Sequence, residues 1–398
     1  MKIKFQEVKM VCIQNGTLHT MEKDNEVLRA DLLVREGKII KISDNITPPD
    51  GTRMIDATGL HIYPGLIDAH SHIGISEEKA GRQGDDCNEG TNPITPCLRA
   101  IDAINPMDSA FHNAIAQGIT GVMVGPGSAN AVGGQFAFIK TDGRRVDDMV
   151  VLAPAAIKVA FGENPKVNYG VNGNMPSTRM AIASLIREEL FLAQQYFDAE
   201  SNGSSQPDFG MECYRELFER KIPLKAHVHR TDDIFTAIRI ANEFHLDLTL
   251  DHCTEGHLIA EAIAASGFPA IVGPSLASRS KNEVNNSDFK TAGILDRAGV
   301  LVALTTDHPV SRIQYLPLCA ALAKKEGMEE EAAIRSITIH AAKICRVNHR
   351  LGSIKPGKDA DLAIFDGNPL HLETIVRYTL INGRIVYTAD AVPAVHIS

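Results

Sequence analysis

The stretch "PGLIDAHSHIG", residues 64–74, carries His70 and His72 one residue apart at the end of an apolar run. Side chains on a β-strand alternate with a period of two, so both imidazoles point to one side and can grip one object. Later apolar runs end in "KAHVH" with His227, in "LTLDHC" with His252 and in "ALTTDHP" with Asp307. Imidazoles and a carboxylate are the ligand types of zinc and similar divalent cations. Taken singly, each is as readily a half-buried polar residue. That His70, His72, His227, His252 and Asp307 all close apolar runs points to a metal.

The run "AAIKVAFGENPK" adds Lys158 inside a strand and Glu163 at its end. A lysine pointing into a core must find an anion or lose its charge, because stranding an ammonium there costs several kcal/mol. A salt bridge to Asp307 or Glu163 is the plain alternative.

These residues need elements to carry them. From residue 61, apolar strand-like runs alternate with helical stretches, the pattern of a parallel sheet covered by helices. The runs are "HIYPGLIDAHSH", "TGVMVGP", "APAAIKVAFG", "IPLKAHVH", "LDLTLDHC", "PAIVGPS" and "VLVALTTDHP", with a weaker one at "GQFAFIKT". The clearest helix is "PSTRMAIASLIREELFLAQQYFDAE", with Ser177 or Thr178 near its start. About eight strand–helix units in roughly 290 residues match a TIM (β/α)8 barrel, and an open doubly wound sheet is the rival. A TIM barrel places its chemistry at the C-terminal ends of the strands, where the histidines and Asp307 stand.

Residues 1–58 read as short strands between Asn-Gly, Glu-Gly and Pro-Pro-Asp-Gly turns, a small antiparallel sheet. After residue 350, "LGSIKPGKDADLAIFDGNPL" and "TLINGRIVYT" return to that texture. The simplest organisation joins 1–58 and 350–398 in one small sheet domain, with the barrel, 59–349, inserted between them. "ESNGSSQPD", residues 200–208, reads as a surface loop.

Composition narrows the partners. The 398 residues are 44% apolar and 22% charged, enough for a large core. A net charge of −9 without a long Lys/Arg run argues against nucleic acid or an anionic membrane and for a small-molecule substrate. The seven cysteines are scattered and never paired as C-x-x-C, which fits a reduced cytoplasm. The start, "MKIKFQEVKMVCIQNGTLHT", shows no signal-peptide pattern, and no apolar run is long enough to span a membrane. Homo-oligomers are compatible with all of this.

At this point the sequence resembles the amidohydrolase superfamily, in particular its imidazolonepropionase-like metal-dependent hydrolases. "PGLIDAHSH", the strand-end His227 and His252, "TTDHP" and the tail "GSIKPGKDADLAIFD" carry the resemblance over nearly the whole chain. It implies a distorted TIM barrel joined to a small β-sandwich built from both termini. His70, His72, His227, His252 and Asp307 match the family's metal ligands, for one or two divalent ions, zinc being expected. In binuclear relatives a fourth-strand lysine is carboxylated and bridges the metals, and Lys158 stands where that residue would be. In deacetylase-like relatives a glutamate has a comparable role, so Glu163 is the alternative ligand.

The expected function is metal-dependent hydrolysis of a carbon–nitrogen bond. Two divalent ions lower the pKa of a shared water toward neutrality and supply hydroxide, while Asp307 takes its proton and passes it to the leaving amine. His229 shares a face with His227 by the period of two and could polarise the substrate carbonyl. A one-metal deaminase or imidazolone-ring hydrolase is the alternative. Such relatives carry a glutamate three residues beyond the fifth-strand histidine, where this chain has Arg230. A non-catalytic scaffold is the third reading. Arg82, Arg230, Arg279 and Lys281 fall in loops that would ring the barrel mouth, which suits a carboxylate-bearing substrate.

Overall fold

The computed structural model describes residues 10–389 apart from residue 205. The outer parts of the terminal segments, 1–9 and 390–398, lie outside the described residues, and with them the first nine residues of the stretch read for a signal peptide.

Eight strands form one sheet, each hydrogen-bonded to the next in sequence. They are Leu66–Ser71, Ile119–Val124, Val132–Lys140, Val150–Ala160, Leu224–Val228, Leu248–His252, Ala270–Val272 and Val302–Leu304. The last and first strands share no ladder among the described residues, but side chains close the seam. Thr305 Oγ1 donates to Asp68 Oδ1 at 2.6 Å, Thr306 Oγ1 donates to Asp68 Oδ2 at 2.6 Å, and the His72 N–H donates to the His308 carbonyl at 2.8 Å. The fold is a distorted TIM barrel.

The distortion corrects the expected all-parallel pattern. Val132–Lys140, the strand only weakly marked in the sequence, runs antiparallel to both neighbours. A parallel connection needs about a dozen residues or more. Residues 125–131 and 141–149 are too short for that, so the chain turns back twice.

The run "HIYPGLIDAHSH" also divides between two sheets. His61–Pro64 joins a six-stranded sheet outside the barrel, and Leu66–Ser71 opens the barrel. Gly65 is the joint. A Cβ there would lie 2.0 Å from Thr120 Oγ1, so only glycine lets the chain pass this close to the next strand.

The terminal segments form two sheets rather than one antiparallel sheet. Lys38–Ser43, Asp31–Arg35, Met10–Gln14 and Arg53–Asp56 make the first, in which Met10–Gln14 and Arg53–Asp56 pair in parallel. Arg384–Thr388, Val376–Ile381, Leu362–Phe365, His61–Pro64, Thr17–His19 and Val27–Arg29 make the second. Val11, Ile13, Leu32 and Val34 of the first pack with Leu18, Ile62, Leu362, Ile364 and Leu380 of the second in one buried core. His61–Pro64 lies just past the boundary at 58 set from the sequence.

The long helix is Arg179–Ser201, and Thr178 caps it by accepting the Ala181 N–H. Its buried side chains, Ile182, Ala183, Ile186, Leu190 and Ala193, follow helical spacing. No helix among the described residues is long and apolar enough to cross a membrane.

A buried ion hub ties the barrel to the tail. Lys140 Nζ donates to Asp359 Oδ2 at 2.7 Å, Asp361 Oδ1 at 2.9 Å and Asn382 Oδ1 at 2.6 Å. Removing one partner of a buried pair strands the others, at a cost of about 3–5 kcal/mol. Lys140→Met should lower unfolding stability by that amount in a denaturant titration. Burial already raises the Asp361 pKa, with Lys140 opposing the rise. A raised acid is tolerated when protonated and becomes costly once ionised, so the loss should shrink as pH falls toward about 4. A melt unchanged at neutral pH would refute the hub's role.

Candidate metal-dependent active site

The barrel strands deliver their polar ends to one cavity of about 310 Å3. His70, His72, Lys158, His227, His229, His252 and Asp307 all line it. His70 Nε2 and His72 Nε2 stand 3.3 and 3.2 Å from the same atom, Asp307 Oδ1. His252 Nδ1 is 4.0 Å from Asp307 Oδ2.

Alternation along the sixth strand would send His252 to the face opposite Asp251. Both are nevertheless buried at the site, because His252 and Cys253 adopt left-handed backbone, with φ of 69° and 49°. Asp307 does the same at the end of the eighth strand, with φ of 53°. Left-handed backbone costs an ordinary residue about 1–2 kcal/mol, so three such residues at strand ends mark an imposed arrangement.

Second partners fix the rings. His70 Nδ1 lies 2.8 Å from Asp251 Oδ2, His72 Nδ1 2.7 Å from the Gly125 carbonyl and His252 Nδ1 2.7 Å from the Gly273 carbonyl. Those oxygens only accept, so Nδ1 carries a proton in all three rings and Nε2 is the nitrogen left to ligate metal. His229 Nδ1 is 2.7 Å from the Thr254 hydroxyl. Lys225 Nζ in turn sits 3.1 Å from Asp251 Oδ2. Against burial, Lys225 and His70 hold the Asp251 carboxyl below the usual range.

Electrostatics favours neutral imidazoles beside an ionised carboxylate. Burial pulls His252 down to about 3 and lowers His70, His227 and His229, the last two well below the ordinary value. His72 is the exception. There Cys87 and Asp307 outweigh burial and lift it to about 10, so a cation must displace its proton. Burial works against Asp307 too, yet His252, His70 and His72 keep it well below the carboxylate range. Burial brings Lys158 down to about 8, with Lys225 adding to the shift and Asp251 opposing it.

Among the described residues, two groups of ligand atoms lie within 4.8 Å of one another: His70, His252 and Asp307, and His227, His229 and His252. His70 Nε2, Asp307 Oδ1 and Lys158 Nζ are buried without a hydrogen-bond partner. Orphaned polar atoms in a core cost about 1–3 kcal/mol each. Their convergence fits a divalent cation.

Residues 61–390 match the amidohydrolase family. The chain belongs to that family, which places it among hydrolases of carbon–nitrogen bonds. Its fold is similar to the crystal structure of an amidohydrolase from Thermotoga maritima, with a TM-score of 0.91 and 40% identity, covering 95% of this chain and 100% of that one. The chain is 29% identical over 377 residues to amidohydrolase tasK of Hapsidospora irregularis, covering 85% of this chain but only 38% of that protein's length. It is 24% identical over 385 residues to the imidazolonepropionase of Klebsiella pneumoniae, covering 90% and 92%.

In this amidohydrolase, Glu163 does not line the cavity; its backbone N–H donates to Glu283 Oε2 at 2.8 Å. Of the four loop cations, Lys281 alone is among the lining residues. Arg230 pairs with Asp232 at 3.0 Å and Arg279 donates to the Ser287 carbonyl at 3.0 Å. Sequence reading missed Asp251, although it precedes His252 directly. It also missed Glu283, in the short loop turn Asn282–Val284, and Asn164, in the first turn of the helix Glu163–Gly170.

Proposed function

We propose that this amidohydrolase hydrolyses an amide-type bond of a small molecule in the barrel-mouth cavity, using divalent cations, zinc being expected. The carrying observation is the convergence of His70, His72, His252 and Asp307, whose histidine Nδ1 protons are committed elsewhere. His70, His72 and Asp307 would hold one cation. His227 and His252 would hold a second, and His229 belongs with them rather than in the carbonyl-binding role suggested by its strand face, because the three ligand atoms cluster within 4.8 Å. Lys158, which lines the same cavity, would bridge the two cations as a carbamate.

When bound, the cations supply Lewis-acid activation of water and of the scissile carbonyl. Asp307 takes a proton from the attacking water and returns it to the leaving nitrogen. The Asp251–His70 bond keeps the imidazole oriented throughout.

Ring opening of a cyclic amide is the second reading, favoured by the similarity to an imidazolonepropionase along nearly the full length of both chains. The deaminase reading is weaker, because Arg230, where such relatives carry a glutamate, is engaged with Asp232 outside the cavity. All seven cysteines are free, which suits a reducing cytoplasm.

Purified protein should retain divalent metal and hydrolyse some members of a panel of N-acyl amino acids, dipeptides and lactams. Chelation should abolish the activity and zinc should restore it. Hydrolysis indifferent to chelation would defeat the proposal, and a scaffold would show neither metal nor turnover.

A further inference from the structure

Glu283 sits in the loop after the seventh barrel strand, within the short turn Asn282–Val284, and is 1% exposed. Its Oε2 accepts the Glu163 N–H at 2.8 Å. Its Oε1 faces the cavity histidines, 3.7 Å from His227 Nε2 and 3.8 Å from His229 Nε2. Lys281 Nζ stands 2.5 Å from that same oxygen, which nevertheless accepts no hydrogen bond of normal geometry.

The backbone makes room for this carboxylate. Gly162 has a φ of +86°, and a Cβ there would fall 2.4 Å from Glu283 Oε2. Any other residue at 162 would push the glutamate out.

A carboxylate at this depth requires a cation, since an unpaired buried charge costs several kcal/mol. Lys281 meets that need from the rim, with its side chain 24% exposed and its Nζ donating to Asn164 Oδ1 at 2.9 Å. A structural salt bridge alone would leave the imidazoles unexplained. Their Nε2 atoms are too far from Oε1 for hydrogen bonds. The spacing is close to that of neighbouring ligands around tetrahedral zinc, about 3.3 Å for bonds of about 2.0–2.1 Å.

We propose that Glu283 is a ligand of the second divalent cation, adding a loop carboxylate to His227, His229, His252 and the bridging Lys158. Lys281 is that cation's stand-in and swings toward solvent when the cation enters. The inference rests on the metal-dependent reading of the cavity and adds to it an anionic ligand from a loop.

The test is zinc retention. Metal-free wild type, Glu283→Gln and Lys281→Met are loaded with zinc, freed of excess, and titrated with a chelator while zinc per chain is measured. Wild type should hold two zinc ions. Glu283→Gln should hold one, or release the weaker one at least tenfold more readily. Lys281→Met keeps the carboxylate and removes its competitor, so it should retain the second zinc more tightly than wild type.

If Glu283→Gln matches wild type in zinc number and chelator midpoint, the inference is overturned while the metal-dependent reading stands. A wild type that holds no zinc overturns both. Should wild type hold a single ion, its loss in Glu283→Gln supports the inference and its retention overturns it. Melting of the zinc-free proteins shows whether Glu283→Gln folds. If it does not, Lys281→Met decides, and retention unchanged or weakened there overturns the inference.

Discussion

Asp307→Asn is expected to fold as wild type does and to lose hydrolysis by about 10²- to 10⁴-fold in kcat/KM, the range for removing a general acid–base group. The substitution suits the position. Asp307 has a φ of 53°, and asparagine is among the few residues that adopt left-handed backbone readily. The Thr305 hydroxyl accepts the Asp307 N–H at 3.0 Å, a backbone contact that the amide side chain leaves in place. What changes is Oδ1. That oxygen lies 3.3 Å from His70 Nε2 and 3.2 Å from His72 Nε2, and it is buried without a hydrogen bond. An amide there can neither hold a cation as an anion nor shuttle a proton. Thermal melting and steady-state kinetics on the best substrate of the panel test both halves, and a folded variant with near-normal turnover would remove Asp307 from the chemistry.

The residues that were legible share a physical reason. His70, His227, His252 and Asp307 close apolar runs, and in a parallel barrel the strand ends must converge, so residue type and position together fix a common site. Period and composition could not reveal how His252 turns inward. That depends on two consecutive left-handed residues, a feature with no side-chain signature at a histidine and a cysteine. The reversed strand Val132–Lys140 was blurred because its apolar content resembles that of its neighbours. The short connections on either side held the information.

Glu283 was the hardest to read. Its stretch, "SRSKNEVNNSD", is polar and irregular, and nothing local separates a buried glutamate from a solvated one. Its burial comes from Gly162 and His227, which are distant in sequence and become neighbours only when the barrel closes. Asp251 is the opposite case. It stands beside His252 in a strongly apolar strand, where an acidic residue requires a buried partner.

Lys158→Ala is expected to lose the second cation first and most of the hydrolysis with it. Lys158 is fully buried in the fourth strand, its Nζ has no hydrogen-bond partner and lies 5.5 Å from the Phe136 ring centroid, and Gly133 flanks its stem. Such an amine is costly as an isolated ammonium, and burial brings its pKa down to about 8, so a usable fraction is neutral near pH 7. A neutral amine can add to carbon dioxide, forming an N–C bond and releasing a proton. The carbamate that would result is an anion, in a cavity whose histidines and Asp307 would hold cations to face it. Replacing the lysine side chain with a methyl group would remove that proposed bridging anion, at a cost of several kcal/mol in transition-state charge stabilisation, or roughly 10²- to 10⁴-fold in rate. Short carboxylic acids added to Lys158→Ala should recover part of the activity by occupying the carbamate's place. Wild type prepared without dissolved carbon dioxide should bind the second zinc more weakly and recover when bicarbonate is supplied. Glu163→Ala is the contrasting variant, expected to keep two metals because Glu163 does not line the cavity. If Lys158→Ala retains both metals and Glu163→Ala loses one, the bridging anion is Glu163, and Lys158 is a buried amine with no part in holding metal.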